Sequence, residues 1–239
     1  MSGPGTGARP RALVGIIPAG GSGERLRPGL AENGRGGAPP PPKAFTVVAG
    51  RPLLDWSLDV ISAVCHRVVV AVPAGYEAPP DRVRGGPSRS ASVRWALEAV
   101  PEAQTVVVHD AARPLLTRDL VDRCLAALHD GGVDGVIAAA PVIDTVKEAD
   151  SRGRVLRTLD RSALWAVQTP QVFPADVLRR ALDVDQSQLA AATDDASLVE
   201  AAGGSVAVVE APHENLKVTT ALDLTVAEGL LAARSPSAP

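Results

Sequence analysis

The alternation of short apolar runs with segments of helical periodicity is the feature that most limits how this chain can fold. Runs typical of buried strands occupy residues 12–18, 67–73, 104–110 and 133–140, and helix-like segments separate them. Strands joined through helices run parallel, because each crossover returns the chain to the same edge of the sheet. This order predicts one α/β domain whose mostly parallel sheet is covered by helices on both faces.

The helix-like segments also show where they begin. Residues 52–64 and 88–99 have helical spacing of apolar residues, with Pro52 near the first turn. Thr117 is a candidate N-cap before a third apolar stripe. The remaining predicted elements are strands over 165–173 and 205–210 and helices that begin near 174, near 193 or 194, and near 219 or 220.

One segment does not fit a buried sheet. Residues 142–158 alternate polar and apolar side chains around Ser151-Arg152-Gly153, which predicts an exposed two-stranded hairpin. We name it the β-arm and place it at about residues 142–160. Because an isolated hairpin cannot bury its own apolar side chains, we expect it to pack on a second copy of the chain.

Composition excludes several classes of protein. The formal charge of −3 and the pI near 5.8 argue against a general nucleic-acid binder. The apolar runs are shorter than the roughly 20 residues of a membrane span. Cys65, Cys124 and the four histidines show no metal-ligand spacing, so we expect no structural zinc site and assign no metal ligands. With no signal-like apolar segment at the N-terminus, we expect a cytoplasmic protein with frayed ends at 1–11 and 234–239.

A Gly-rich loop follows the first predicted strand in the sequence LVGIIPAGGSGERLRP, residues 13–28. It lacks the Lys-Ser/Thr pair of a Walker loop and the third glycine of a dinucleotide fingerprint, where Leu26 stands. It fits the nucleotidyltransferase pattern P-A-x-G-x-G-x-R-L, in which the glycines offer backbone N–H groups to a triphosphate and Arg25 offers a planar set of donors. The alternative for the loop alone is a solvated glycine turn.

The lysine expected after such a loop is Lys43. A segment rich in proline and glycine, residues 28–42, separates it from Arg25. We expect this insert to be flexible with a stiff polyproline end. A second polar cluster, in VHDAARP, puts Asp110 and Arg113 at the carboxyl end of a predicted strand. Ligands of open α/β sheets bind at that edge, although a helix cap or turn would explain Asp110 taken alone.

The chain resembles the 2-C-methyl-D-erythritol 4-phosphate cytidylyltransferases of the non-mevalonate isoprenoid pathway. The matching pieces, in family order over residues 13–231, are PAGGSGERL, PKAF, GGPSRSASV, VHDAARP, APVIDTVKE, LDR, QTPQVF, TDDASLVE and NLKVT. The resemblance implies a Rossmann-like three-layer nucleotidyltransferase fold in a single domain, a protruding β-arm and a homodimer formed through it. It also implies the reaction of CTP with methylerythritol 4-phosphate to give CDP-methylerythritol and pyrophosphate, with Mg²⁺.

The resemblance assigns roles to named residues. Arg25 and Lys43 would stabilise charge on the α-phosphate, and Arg161 and Lys217 would position the substrate phosphate. The CTP-binding set would be Pro18, Ala19, Gly20, Gly21, Ser22, Gly23, Gly86, Arg89 and Ser92. The methylerythritol side would be lined by Asp110, Arg113, Thr145 and Thr169, together with Arg161 and Lys217.

The chemistry of this reaction suits the residues. A phosphate monoester has its second pKa near 6, so the nucleophile is largely ionised at neutral pH and needs no general base. What the transfer needs is positioning and cations around several phosphates. Three alternatives stay open: a cytidylyltransferase for another polyol phosphate such as ribitol 5-phosphate, a sugar-phosphate nucleotidyltransferase using UTP or GTP, and a non-catalytic nucleotide-binding protein.

Overall fold

A computed structural model describes residues 12–21, 26, 42–73, 75–76 and 81–234. The strands are β1 Leu13–Pro18, β2 Val47–Val48, β3 Arg51–Pro52, β4 Arg67–Val72, β5 Asp81–Arg84, β6 Thr105–Val108, β7 Gly135–Pro141, β8 Lys147–Ala149, β9 Val155–Thr158, β10 Trp165–Pro174 and β11 Val206–Glu210. The α-helices are α1 Leu53–Val64, α2 Arg89–Glu98, α3 Arg118–Asp130, α4 Ala175–Leu182, α5 Gln186–Ala191, α6 Asp195–Ala201 and α7 Ala221–Arg234. Short 3-10 helices cover Lys43–Phe45 and Arg161–Ala163.

Seven strands form one sheet in the order β11-β7-β10-β6-β1-β4-β5. β10 runs antiparallel to both of its neighbours, and the other pairings in the sheet are parallel. The prediction of a mostly parallel α/β sheet is therefore confirmed. β4 lies on one side of β1 and β6 on the other, so the strand order reverses direction at β1. The carboxyl ends of β1 and β6 therefore flank a switch point of the sheet, the place where ligands bind in such folds.

The alternation of side chains along β1 explains why helices cover both faces. Leu13 and Ile17 pack in the core on one face, with α1 and α3, whereas Val14 and Ile16 pack in the core on the other, with α2 and α4. Gly15 lies between them, and a Cβ there would come within 2.2 Å of Ile61 on α1. Glycine at this position therefore lets α1 lie close against the strand.

A smaller core joins the last helix to the carboxyl edge of the sheet. Leu26, Val48, Leu53, Leu115, Val218, Ala227 and Leu231 are its buried members. This packing places the loop between β11 and α7 next to the carboxyl ends of the strands. Arg234 donates to the Leu115 carbonyl at 2.8 Å. The predicted frayed end at 234–239 is thus wrong for Arg234, which belongs to α7 and is tied to the core.

Most predicted elements are confirmed with small shifts of their ends. Pro52, Ser88 and Thr117 flank α1, α2 and α3 as N-caps, and Asp194 caps α6. Cys65 and Cys124 are free and buried, and burial raises the pKa of the Cys124 thiol to about 12. Among the described helices, none combines the length and apolar character that a membrane crossing requires.

The β-arm is present as predicted. β8 and β9 pair antiparallel through a turn that contains Gly153 at a φ of 77°. Its side chains are exposed, including Val155 and Leu156 at 60% and 61%. Ile143, at the base of the arm, is 65% exposed. The arm therefore presents apolar side chains that this chain alone does not cover.

Candidate active site

The larger cavity lies at the carboxyl edge of the sheet. It has a volume of about 690 Å³, and its walls come from four segments: the loop after β1, the 3-10 helix at Lys43, the turn between β5 and α2, and the residues after β6. Lys217 and Thr219 from the loop before α7 close it. This is the switch point of the sheet, so the fold places a ligand site where sequence motifs had indicated one.

The Gly-rich loop and Lys43 meet at this cavity. The Lys43 backbone N–H donates to the Gly21 carbonyl at 3.3 Å, so the chain returns to the loop at Lys43 whatever path the insert takes. Built side chains at Gly20 and Gly21 would meet no described atom within 4 Å. Bare backbone therefore faces open space here, and an approaching anion can reach its N–H groups.

The start of α2 forms the opposite wall. Ser88 caps the helix by accepting from the Ala91 N–H at 3.2 Å. The Ser92 hydroxyl donates to the Ser88 carbonyl at 2.8 Å and accepts from the Gly86 N–H at 3.0 Å. A Cβ on Gly86 would lie 2.7 Å from the Ala91 Cβ. The turn is therefore held in one shape, and only glycine fits at its apex.

Asp110 is the charge centre of the site. Its Oδ1 accepts from Arg89 Nε at 2.9 Å, and its Oδ2 pairs with Lys217 Nζ at 2.7 Å. Arg113 Nε lies 3.9 Å from Oδ2. Arg89 also pairs with the buried Asp195 at 2.6 Å. One carboxylate thus gathers three cationic side chains at the floor of the cavity.

These charges set the ionisation of the cluster. Burial alone would raise the pKa of Asp110, but Arg89, Lys217 and Arg113 together outweigh it and hold that pKa far below its usual range. Burial would lower the pKa of Arg89, and the Asp195 and Asp110 carboxylates more than reverse this. Asp110 and Arg89 are therefore ionised at neutral pH. Burial raises the pKa of Asp195, against the opposing effect of Arg89.

A smaller cavity of about 310 Å³ adjoins the first and shares Arg89, Asp110 and Lys217 with it. Its other lining side chains are mostly polar: Arg113, Val167, Gln168, Thr169, Gln171, Thr193 and Asp194. The Thr169 hydroxyl accepts from the Asp110 backbone N–H at 3.1 Å. The pair of cavities therefore has a common wall of charged groups and a polar pocket suited to hydroxyl groups.

The loop that carries Lys217 is fixed by buried amides. The Asn215 side chain donates from Nδ2 to Gln168 Oε1 at 2.7 Å and to the Thr169 carbonyl at 2.9 Å. The Asn215 carbonyl accepts from Arg113 at 2.7 Å. These bonds tie the loop to β10 and to the segment after β6, so Lys217 reaches Asp110 from a fixed backbone.

The sequence pattern of IspD, 2-C-methyl-D-erythritol 4-phosphate cytidylyltransferase, matches residues 13–233. The chain belongs to the IspD family. A 2-C-methyl-D-erythritol 4-phosphate cytidylyltransferase of Frankia casuarinae is 42% identical over 241 residues, which cover 96% of this chain and 85% of the relative. One from Prochlorococcus marinus is 38% identical and covers 92% of this chain and 98% of its own.

A solved structure of the family has the same fold. The crystal structure of 2-C-methyl-D-erythritol 4-phosphate cytidylyltransferase from Thermus thermophilus matches with a TM-score of 0.74 at 36% identity, over 92% of this chain and 98% of that one. The family match runs from β1 into α7 and so includes every described segment that lines the two cavities.

The structure brings most of the predicted IspD site residues together. Those that line the larger cavity are Pro18, Ala19, Gly20, Gly21, Lys43, Gly86, Arg89, Ser92, Asp110 and Lys217. Arg113 and Thr169 line the smaller cavity. Ser22, Gly23, Arg25 and most of the predicted insert, residues 28–41, lie outside the described residues.

Two predicted residues lie elsewhere. Thr145, in the β-arm, and Arg161, just after it, are exposed and line neither cavity. Arg161 donates to the Ile143 carbonyl at the base of the arm. Within a single copy of the chain, the structure therefore does not unite these two side chains with the rest of the site.

Sequence reasoning missed the roles of three buried polar residues, although each lies in a motif that we quoted. His109 contacts Thr169, Asn215 holds the Lys217 loop, and Asp195 pairs with Arg89. The side-chain partners of these residues are distant in sequence. Gln168 is 47 positions from Asn215, Thr169 is 60 from His109, and Arg89 is 106 from Asp195. The available signal for two of them was proximity to a predicted site residue, since His109 precedes Asp110 and Asn215 lies two positions before Lys217; Asp195 had no such neighbour.

Proposed function

We infer that the chain catalyses the reaction named by its family, the transfer of a cytidylyl group from CTP to 2-C-methyl-D-erythritol 4-phosphate. The observation that carries this inference is the shared wall of the two cavities. Lys217 and Asp110 border both spaces, so a nucleotide in the larger cavity and a polyol phosphate in the smaller one would meet at the same charged groups. Lysine and arginine outnumber carboxylates around the larger cavity, as a triphosphate requires.

The reaction needs no base from the protein. An ionised oxygen of the acceptor phosphate attacks the α-phosphorus of CTP, the bond from that phosphorus to the β-phosphate oxygen breaks, and pyrophosphate leaves. Negative charge accumulates on the α-phosphoryl oxygens and on the departing group. We propose that Lys43, Lys217 and Arg25 stabilise this charge, since fixed cations in a partly closed site stabilise a transition state strongly.

We propose that Arg89 supports CTP binding indirectly. Its guanidinium is already paired with Asp110 and Asp195, so little of its charge is left for a phosphate. It anchors the first turn of α2, where Gly86 and Ser92 form the wall of the nucleotide cavity. In this role Arg89 keeps the cavity wall in place, and its ion pair with Asp110 fixes the orientation of that carboxylate.

The described residues do not fit a metal held by the protein. No group of three or more His, Cys, Asp or Glu side chains among them could hold an ion. Asp110 is the one carboxylate among the described residues lining the larger cavity, and both of its oxygens are ion-paired. We therefore propose that Mg²⁺ arrives with CTP and is held by the triphosphate oxygens, which suits a cation that binds substrate phosphates and keeps water ligands.

We propose a homodimer formed through the β-arm. The exposed apolar side chains of Val155, Leu156 and Ile143 support it, because a second copy would remove them from water. The same arrangement would explain Thr145 and Arg161, which serve an acceptor site only if the arm reaches the cavity of the partner.

We also propose a cytoplasmic location, where CTP is available and where the free thiols of Cys65 and Cys124 suit a reducing environment.

A steady-state assay of pyrophosphate release tests the proposed function. With CTP, Mg²⁺ and methylerythritol 4-phosphate, we expect release that depends on all three. Replacing the shared lysine, Lys217→Gln, should lower kcat/KM by about 100- to 1,000-fold, the loss typical of one electrostatic group at a transition state. Arg118→Gln is the control, since Arg118 is an exposed residue of α3 paired with Asp122. Equal activity of the two variants would contradict the role of Lys217.

A further inference from the structure

His109 lies fully buried directly beneath the charge centre of the site. Its Nδ1 is 2.9 Å from the Thr169 hydroxyl oxygen, and its Nε2 is 3.2 Å from the Arg113 carbonyl oxygen. It lines neither cavity, so a substrate bound in them would meet its hydrogen-bond partners and not the ring itself. The residues on either end of its two hydrogen bonds, Thr169 and Arg113, both line the smaller cavity.

The two contacts determine where the ring carries its proton. A carbonyl oxygen only accepts, so Nε2 must carry a hydrogen and donate it to Arg113. In the neutral ring, Nδ1 then has a lone pair and accepts the hydrogen of the Thr169 hydroxyl. Burial is the main cause that lowers the pKa of His109 to about 4, and the charges of Arg113 and Arg89 add to it. Asp110 and the hydrogen bond to the Arg113 carbonyl act in the opposite direction. The neutral form therefore persists throughout the physiological range.

This arrangement fixes the direction of hydrogen bonding at Thr169. The hydroxyl gives its single hydrogen to His109 and uses one lone pair to accept the Asp110 backbone N–H at 3.1 Å. A threonine hydroxyl has one donor and two lone pairs, so only one lone pair remains for a ligand. A polyol hydroxyl can donate to it, whereas the oxygens of a phosphate dianion cannot.

We propose that His109 is a positioning residue that sets Thr169 as a hydrogen-bond acceptor for the polyol part of the acceptor substrate and fixes the Asp110 backbone. The proposal rests on the proposed function and deepens it. It orients the acceptor, with its hydroxyl groups at Thr169 and its phosphate toward Lys217. The chain of bonds runs from the Asp110 N–H through Thr169 and His109 to the Arg113 carbonyl, which ties both ends of the segment after β6 together.

The tautomer can be measured without any substrate. In protein with ¹⁵N-labelled histidine, the signals of His109 are identified by their absence from His109→Asn protein. We expect a protonated Nε2 and an unprotonated Nδ1 at every pH from 6 to 8. A protonated Nδ1 at pH 7 would overturn the proposal, because Thr169 would then keep its hydrogen for the ligand.

Three substitutions separate the two bonds of the ring. His109→Asn places an acceptor near the position of Nδ1 and keeps the bond to Thr169, whereas His109→Gln places a donor near Nε2 and keeps the bond to Arg113. His109→Leu keeps neither. We expect Leu and Gln to lower kcat/KM for methylerythritol 4-phosphate by about 10- to 100-fold and Asn to recover most of that loss. The KM for CTP should change less than about threefold.

The outcomes are distinguishable. Equal losses in all three variants, or parallel losses for CTP and the acceptor, would assign His109 a purely structural role and overturn the proposal. Melting temperatures identify a variant that fails to fold, and the labelled wild-type protein still decides the tautomer in that case. If the wild-type protein releases no pyrophosphate with any acceptor, the proposed function fails, while the measured tautomer is unaffected. His129→Asn, at an exposed position of α3, is the control for kinetics.

Discussion

The burial of neutral His109 makes the fold sensitive to mild acid. Its pKa is about 4 in the folded chain, against about 6.5 for histidine in an unfolded chain. As the pH falls below about 6.5, the unfolded chain takes up a proton that the folded chain does not, so the free energy of unfolding decreases until the pH reaches about 4. Above about 6.5, the full contribution of the neutral ring is present.

The size of the effect follows from these two pKa values. Between pH 7 and pH 5, the linkage relation gives a loss of about 2 kcal/mol from this one residue. Urea unfolding of the wild-type protein, His109→Asn and His109→Gln at pH 7, 6 and 5 measures it. All other titrating groups are the same in the three proteins, so their effects cancel in the comparison. The free energy of unfolding of the wild-type protein should therefore fall by about 2 kcal/mol more than that of either variant over this range. Parallel pH dependences in all three proteins would show that burial does not lower the pKa of His109 in the folded chain.

Two further substitutions, each with a control variant, test the wall of the larger cavity and the β-arm. Gly86→Ala should destabilise the fold by about 1–3 kcal/mol, because the new Cβ overpacks against Ala91, and it should raise the KM for CTP. The control is Gly229→Ala on α7, where a Cβ meets open space, and it should stabilise the fold by about 0.5–1 kcal/mol. Equal shifts of the melting temperature in the two variants would contradict this prediction. Leu156→Asp should give a monomeric mass in sedimentation, whereas Leu222→Asp, at 72% exposure on α7, should leave the mass of the wild-type protein unchanged; a dimer that survives Leu156→Asp argues against assembly through the arm.

The buried parallel strands could be read from the sequence because both of their faces are apolar. β1, β4 and β7 are almost continuously buried, and such runs are distinctive. The missed elements lack that signal. β5 is a four-residue edge strand, DRVR, in which three of the four residues are charged, and α5 has six residues of which Leu189 alone is buried. The antiparallel direction of β10 depends on how the β-arm connects it, which local periodicity does not encode.

The candidate site was predictable only in part for a related reason. Asp110 is indicated by its place at the end of a predicted strand and Lys43 by the nucleotidyltransferase pattern, whereas Lys217 is assigned through the family resemblance. The ion pair between Arg89 and Asp195 joins residues 106 positions apart, and no local pattern contains it. That pair is the basis for proposing that Arg89 supports the cavity wall, whereas the sequence placed it in the CTP-binding set.

We propose that the shared wall at Asp110 and Lys217 brings CTP together with a branched polyol phosphate. The most direct test is a competition in which the protein, CTP and Mg²⁺ receive equal concentrations of methylerythritol 4-phosphate and ribitol 5-phosphate, with both CDP-polyol products quantified by mass spectrometry. We predict that CDP-methylerythritol predominates, with pyrophosphate formed in equal amount. CDP-ribitol as the main product, or the absence of any CDP-polyol, would contradict the proposed transfer to methylerythritol 4-phosphate.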